Sequence, residues 1–467
     1  MKVVIADPIV ESALLFLKQQ PNMEVIDSHK NKENLPGLLM EADALLVRSE
    51  TKVTRELLAG APKLKVVGRA GIGVDNIDVE AATERGIAVL NAPCGNTIAT
   101  AELTCAHLLS SARPLPQASA SMKEGKWDRK AFIGIELFKK TLGIIGLGRI
   151  GTEVASRAHA FGMTVIAYDP YLSDTRAKNL NIKKVTLGEL FAESDFITVH
   201  VPLVDSTRNL LDEKAFAQMK KGVHILNCAR GGIVHEEALI NAIKNGIVAS
   251  AGLDVYQEEP LPVTSELRKL PNVTLTPHLG ASTKEAQESV GMEIVHELCN
   301  FLNGQEVKNA VNMPCVDMKT LQAIGPFIDL GQKMGSLLQQ MSPSFSKKIR
   351  ISYWGKLTQL DASPITRAIQ RGYVMNIGGP QVNDINAPLK LKQLGIEVEV
   401  VNSNSDSEYT ELVGVETVET NAASLQGTII GKNPRIVSVH GYQIEIAPVG
   451  ILLSIENKDC PGTIGKI

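Results

Sequence analysis

Three things are scarce in this chain of 467 residues: regularly spaced cysteines, long apolar runs, and an excess of charge of one sign. The six cysteines, at 94, 105, 228, 299, 315 and 460, show no CxxC spacing and no regular pairing. That excludes a disulfide framework or a zinc ribbon and reads as reduced thiols in a cytoplasmic protein. No apolar run approaches the roughly 18 residues of a membrane span. The opening MKVVIADP meets a charge at Asp7 instead of continuing into the apolar core of a secretory leader. Lys and Arg number 48 against 51 acids, a net charge of −3, so the chain is not built as a general polyanion binder and nucleic acid is not its expected partner. Apolar residues at 44% and charged residues at 21% exclude a disordered, collagenous or coiled-coil chain. The length predicts about three domains.

Most of the first 280 residues alternate short β-rich runs with helical patterns, which predicts parallel sheets covered by helices. Strands are expected at VVIA (3–6), ALLV (44–47), LKVVGR (64–69), TLGIIG, VIAYD (165–169), FITVHV (196–201), HILNCA (224–229) and ASAGLDV (249–255). Helices are expected at ESALLFLKQ and from Thr97 to Ala112, and ASTKEAQESVGMEIVHELCNFLNG gives a long one that could return the chain to its first domain. From Asn312 the character shifts to NMPCVDMKTLQAIGPFIDLGQKMGSLLQQM, then to strand-like KIRISYWG and IEVEVVN. The last stretch, VGILLSIENKDCPGTIGKI, reads as a strand, a polar turn and the first turn of a helix, so a truncated module is expected there.

Gly146, Gly148 and Gly151 form G-x-G-x-x-G between the strand LGII and the helical run RIGTEVASRAHAFG. In such a loop the first glycine allows a tight turn, the second admits a pyrophosphate to the backbone, and the third lets the helix pack on the strand. Asp169 ends the next strand 18 residues after Gly151, where an acid would bind the ribose hydroxyls of an adenosine. A carboxylate there repels a 2′-phosphate, and the nearest following arginine is Arg176, so NAD is expected over NADP.

Three polar residues sit just past apolar strands, where open α/β sheets place their chemistry. Arg230 follows HILNCA, Glu259 follows GLDVYQE, and His278 follows VTLTP. Singly, they read as a solvated strand end, a turn acid and a partly buried histidine. Together they fit one reaction. Oxidation of a secondary alcohol needs a base for the hydroxyl proton, and imidazole titrates in the useful range. A glutamate beside it fixes the tautomer and stabilises the imidazolium, and an arginine offers a two-pronged donor to a substrate carboxylate. Arg48, Arg69 and Arg129 at the edges of the expected cleft suggest a further anionic group on the substrate, for which a phosphate fits.

GLGRIG with Asp169, then NCARGGIV, GLDVYQEEP and TPHLGAST, resemble the D-isomer-specific 2-hydroxyacid dehydrogenase family over about residues 1–310. The resemblance implies that Arg230 binds carboxylate and carbonyl, Glu259 supports the histidine, and His278 is the acid/base. It implies an NAD site formed by Gly146, Gly148, Arg149, Ile150, Gly151 and Asp169, with Ile72, Val201, Pro202, Cys228, Ala229 and Gly280 along the cleft and Asp254 near the nicotinamide. LLVRSETKVT, GRAGIGVDNID, NAPCGNTIATAELT and WDRKAFIGIEL are similar to the members that oxidise D-3-phosphoglycerate at C2 to 3-phosphohydroxypyruvate in serine biosynthesis. By that likeness Arg48, Arg69 and Arg129 contact phosphate, while Gly71, Gly73 and Asn96 shape the carboxylate pocket. No metal is implied.

The implied fold is α/β: a Rossmann-type doubly wound parallel sheet over 96–282 and a flavodoxin-like α/β substrate domain from 1–95 and 283–310. An α+β intervening regulatory domain is implied over 311–446, and an incomplete ACT domain over 447–467. The family also implies a homodimer or homotetramer, built through the cofactor domain. A hydroxypyruvate or glyoxylate reductase on the same scaffold, and a non-catalytic NAD-sensing corepressor, are the alternatives.

Overall fold

The computed structural model describes residues 1–453 apart from 343–345, 380, 406 and 419–421. Its first sheet holds five parallel strands in the spatial order Glu24–Asp27, Lys2–Ile5, Ala44–Val47, Val66–Arg69, Ala88–Asn91. Counted along the chain this is 2-1-3-4-5, the flavodoxin-like order. Val3, Val4, Ile5 and all of Ala44–Val47 are buried, because helices cover both faces and leave no solvent side to demand alternation.

The helix Lys284–Leu302 lays Val290, Ile294, Val295 and Leu298 on this sheet beside Ala13 and Leu17 of the helix Glu11–Lys18. The chain therefore does return to its first sheet after building the second. Gly68 lets that helix close in, since a Cβ there would stand 3.2 Å from both Ile294 and Leu298.

The second sheet has seven parallel strands ordered Val273–Leu275, Val248–Leu253, Val223–Asn227, Phe196–Val199, Thr141–Ile145, Thr164–Tyr168, Lys183–Lys184. Strand order reverses between Thr141–Ile145 and Phe196–Val199. That switch point opens a crevice beyond the carboxyl ends of the strands, the place where open α/β sheets bind ligands. The helix Thr97–Ala112 packs on this sheet and on the helix Arg149–Ala160.

The third sheet is mixed, six strands in the order Glu397–Asn402, Lys348–Gly355, Glu411–Thr417, Ser424–Ile430, Asn433–Val439, Tyr442–Ile446. Only its first pair is parallel. The helix Met318–Met341 turns Ile324, Phe327, Leu330, Met334 and Leu338 toward it, an apolar stripe at helical spacing. The helix Ser363–Val374 packs alongside, and the two backbones nearly touch: a Cβ at Gly335 or Gly372 would overlap the main chain of the other helix.

The expected strand in ILLSIE does not begin in the described part, since residues 451–453 take no regular structure. The rest of that stretch, with Asp459 and Cys460, lies outside the described residues. Among the described residues no helix is long and apolar enough to cross a membrane. None of their clusters of His, Cys, Asp or Glu could hold a metal ion.

Candidate active site

The strand Thr141–Ile145 ends at the switch point, and the glycine-rich loop begins there. Gly146 takes φ +94, and a Cβ on it would stand 2.7 Å from His200 O and from Val201 Cγ1. A Cβ at Gly151 would overlap Gly146 O, so the helix can start against the loop only with glycine there. Gly148 is different. It is the N-cap of Arg149–Ala160, no side chain caps that helix, and a Cβ would meet nothing within 4 Å. The uncapped first turn faces open space, where its amides and dipole favour an anion. The loop thus fits a dinucleotide pyrophosphate.

Asp169, just past Thr164–Tyr168, accepts hydrogen bonds from Leu147 N and Tyr171 N, both at 2.8 Å, which fixes its carboxylate beside the loop. Arg176 does not stand apart as its sequence distance suggested. Its Nη2 donates to Leu147 O at 3.0 Å and Thr152 Oγ1 at 3.3 Å. Ile150 packs on the apolar core behind the loop, and Arg149 Nη1 donates to Pro93 O at 3.3 Å, linking the loop to the chain that leaves the first sheet. Across the crevice, Val201 is partly buried and Pro202 exposed.

Cys228, Ala229 and Arg230 follow the strand Val223–Asn227. Asn227 shapes the turn by accepting from Ala229 N at 3.0 Å and donating to Arg230 O at 2.9 Å. Burial pushes the Cys228 thiol up to about 12, so it is no nucleophile. Arg230 Nη1 donates to Ala229 O at 2.6 Å, and its Nε reaches toward the first sheet to donate to Asp75 Oδ2 at 2.9 Å. Gly73 leaves room for it, because a Cβ there would overlap Arg230 Nη2. Gly71 does the same for Arg69.

Arg69 Nε donates to Asn76 Oδ1 at 2.8 Å, and Asn76 Nδ2 donates at 2.7 Å to the carbonyls of Arg48 and Thr51. The buried carboxylate of Asp7 accepts from Arg48 N at 2.7 Å and Thr51 N at 3.1 Å. Arg48 lies one residue beyond its strand, with Nη1 donating to Pro8 O at 3.3 Å. Burial, then the charge of Arg230, lowers the Arg69 guanidinium to about 10; Asp75 opposes this and Arg48 adds to it. Arg48, Arg69 and Arg230 therefore form one electropositive group.

Arg129 does not join that group. It is exposed on the segment after the helix Leu115–Lys123, and no hydrogen bond or ion pair among the described residues ties it to the other three. Ile72 contributes its carbonyl, which accepts from Asn91 Nδ2 at 2.6 Å. Asn96 is the N-cap of Thr97–Ala112 without a capping bond, and its Oδ1 is buried with no partner among the described residues.

His278 follows the strand Val273–Leu275 in the left-handed region, at φ +54, a conformation costly for a non-glycine residue. Its amide is bonded to Asp254 O at 2.9 Å and Thr276 O at 3.0 Å. The Asp254 carboxylate is fully buried and wholly engaged with this segment. Its Oδ1 accepts from Thr276 Oγ1 at 2.6 Å and Leu279 N at 2.7 Å, and its Oδ2 from Gly280 N at 2.9 Å. Thr100 Oγ1 donates to Gly280 O at 2.9 Å, and the His107 ring reaches Thr276 Oγ1 at 2.9 Å. The Asp254 carboxylate thus clamps the histidine loop.

The side chain of His278 meets Glu259, with Nδ1 2.6 Å from Oε2, while Glu259 Oε1 accepts from Tyr256 N at 3.0 Å. Burial pushes the Glu259 carboxyl up, but the bonds from His278 and the Tyr256 amide outweigh it and hold it below the usual range. The charge of Arg230 acts in the same direction. An ionised carboxylate only accepts, so Nδ1 carries the proton and Nε2 is left for a substrate.

Residues 105–280 match the D-isomer specific 2-hydroxyacid dehydrogenase, NAD binding domain, and residues 323–440 match the D-3-phosphoglycerate dehydrogenase intervening domain. The D-3-phosphoglycerate dehydrogenase of Methanocaldococcus jannaschii is 43% identical over 470 residues, covering 100% of this chain and 89% of its own. That of Bacillus subtilis is 42% identical over 468 residues, with the same coverage. Among solved structures, D-lactate dehydrogenase from Aquifex aeolicus complexed with NAD and lactic acid is 29% identical with a TM-score of 0.60, and covers 67% of this chain and 100% of its own. The chain belongs to the D-isomer-specific 2-hydroxyacid dehydrogenases and, within them, to the D-3-phosphoglycerate dehydrogenases.

Proposed function

We infer that this chain catalyses the NAD-dependent oxidation of D-3-phosphoglycerate to 3-phosphohydroxypyruvate, the first step of phosphorylated L-serine biosynthesis. The observation that carries the reading is the place of Arg230, which lies against Gly73 and bonds Asp75 at 2.9 Å on the Arg69 side of the cleft and whose charge also acts on Glu259. An anion-binding group and an acid–base pair thus share one cleft. NAD, when bound on the glycine-rich loop and Asp169, supplies the acceptor for the C2 hydride. His278 Nε2 takes the hydroxyl proton, and Glu259 stabilises the imidazolium that results. Arg230 holds the carboxylate with a two-pronged donor set in place of Asp75, and Arg69 with Arg48 receives the phosphate.

Asp254, Thr276 and His107 act through position, by fixing the backbone of His278. Residues 1–95 with 283–310 form the substrate-binding unit in this reading, 96–282 the NAD-binding unit and 311–446 the intervening unit. The apolar side chains of Ile98, Leu115, Trp127 and Ile133 stand exposed along the helices after Thr97 and the segment that follows. Such a surface supports a homo-oligomer built through the cofactor unit, and Arg129, on the same segment, would serve a neighbouring subunit's cleft. Reduced cysteines fit a cytoplasmic enzyme. His278→Ala is expected to abolish NADH formation from D-3-phosphoglycerate while leaving NAD binding nearly intact; turnover like the wild type would overturn the mechanism.

A further inference from the structure

Leu147, between the first two glycines of the dinucleotide loop, is held by every handle it has. Its side chain is fully buried in a core shared with Leu172 and Ala177. Its amide donates to Asp169 Oδ2 at 2.8 Å. Its carbonyl accepts from Arg176 Nη2 at 3.0 Å, and the same nitrogen donates to Thr152 Oγ1 at 3.3 Å. Arg176 is an exposed residue, and fixing so long a side chain costs rotamer entropy that calls for a return.

The backbone of Arg176 is itself set in place. It lies on the short helix Asp174–Asn179, where Ser173 Oγ accepts from its amide at 3.2 Å. Leu172 and Ala177, on either side, pin that helix to the core that holds Leu147. The guanidinium is thus delivered to the loop from a fixed base.

Its grip on Leu147 O fixes more than that oxygen. The Leu147–Gly148 peptide is trans, Glu259–Pro260 being the cis bond among the described residues, so its C=O and N–H point in opposite directions. Holding the carbonyl on Arg176 therefore turns the Gly148 amide away from the arginine. Gly148 borders open space, since a Cβ there would meet nothing within 4 Å. The amides of Gly148, Arg149 and Ile150 find no acceptor among the described residues. Thr152 Oγ1 extends the arrangement by one peptide: it donates to Gly148 O at 2.7 Å, which points the Arg149 amide back out of the first helical turn.

We propose that Arg176 is a positioning residue for the cofactor: it holds the Leu147–Gly148 peptide so that the Gly148 amide faces the pyrophosphate of NAD. Without it the peptide is free to rotate, and the cost of ordering it again falls on cofactor binding. Hydride transfer at the nicotinamide end is untouched. The inference needs only the NAD site and stands whichever 2-hydroxy acid is oxidised.

The test is fluorescence titration of the full chain with NADH, beside steady-state kinetics and thermal unfolding of the cofactor-free protein. Arg176→Ala should raise the Kd for NADH about fivefold or more and the KM for NAD in parallel, with kcat within about twofold of wild type. The Tm of the cofactor-free chain should be unchanged. Arg176→Lys keeps a nitrogen that can serve both oxygens and should recover most of the lost affinity. The loss in Arg176→Ala should persist from about 0.05 to about 0.5 M salt, a range over which a bare charge attracting the pyrophosphate would be screened. NADH affinity like the wild type in Arg176→Ala, a lower Tm with affinity intact, a lysine variant as weak as the alanine one, or a loss that vanishes at high salt would each overturn the proposal.

Discussion

Glu259 Oε2 lies 2.6 Å from His278 Nδ1, across 19 residues of chain. Replacing Glu259 with Gln keeps the shape and removes the charge that stabilises an imidazolium. A positioned acid–base group contributes about 10²–10⁴-fold, so kcat should fall by about 10²-fold or more while NAD affinity is unchanged. Steady-state kinetics with a separate NADH fluorescence titration checks both halves.

The same pair has a pH signature in stability. The Glu259 carboxyl is held below its ordinary value of 4.5 in the folded chain. Its contribution is thus fully present above that value and disappears as pH falls through the lower, folded one. The difference in Tm between wild type and Glu259→Gln should be constant near neutrality and shrink toward zero below about pH 4. Thermal unfolding across that range reads the difference directly.

Two glycines of one loop should respond differently to alanine. At Gly151 the new methyl would overlap Gly146 O, a backbone atom, whereas at Gly148 it would meet nothing within 4 Å. Gly151→Ala should cost stability, about 1–3 kcal/mol as overpacking typically does. Gly148→Ala should leave Tm unchanged and raise the KM for NAD by an order of magnitude, since the methyl occupies the cofactor's side of the loop. Denaturation curves beside NAD titrations separate the two.

Thr276→Val removes one donor from the buried Asp254 carboxylate while preserving volume. Leaving such a group a bond short costs about 1–3 kcal/mol, and the loop that holds His278 at φ +54 loosens with it. The expected outcome is a lower urea midpoint together with a lower kcat and an unchanged KM for NAD. A loss of stability with kcat intact would show that the clamp does not position the histidine.

Local pattern revealed much of this, and the exceptions have physical causes. The buried parallel strands Ala44–Val47 and Phe196–Val199 are apolar throughout, and the helix at Thr97–Ala112 begins and ends where its periodicity said. The edge strands Glu24–Asp27 and Lys183–Lys184 went unread because they are short and largely exposed, with no apolar face to report. Gly146, Gly148 and Gly151 were legible because a dinucleotide loop constrains the spacing of residues along the chain. Asp75, Asn76 and His107 were not. Asp75 meets Arg230 from 155 residues away, and His107 meets Thr276 from 169. Such partners are chosen by tertiary approach and leave no local periodicity. Asp254 was visible as a residue, but only the fold shows its carboxylate turned to the loop behind His278.

The most direct measurement compares kcat/KM for reduction of 3-phosphohydroxypyruvate and of hydroxypyruvate, followed by NADH absorbance on the same purified chain. With Arg48 and Arg69 receiving the phosphate, two charge-assisted interactions of about 1.5–3 kcal/mol each favour the phosphorylated substrate. A preference of at least about 10²-fold is expected. Equal kcat/KM on the two substrates would contradict the account.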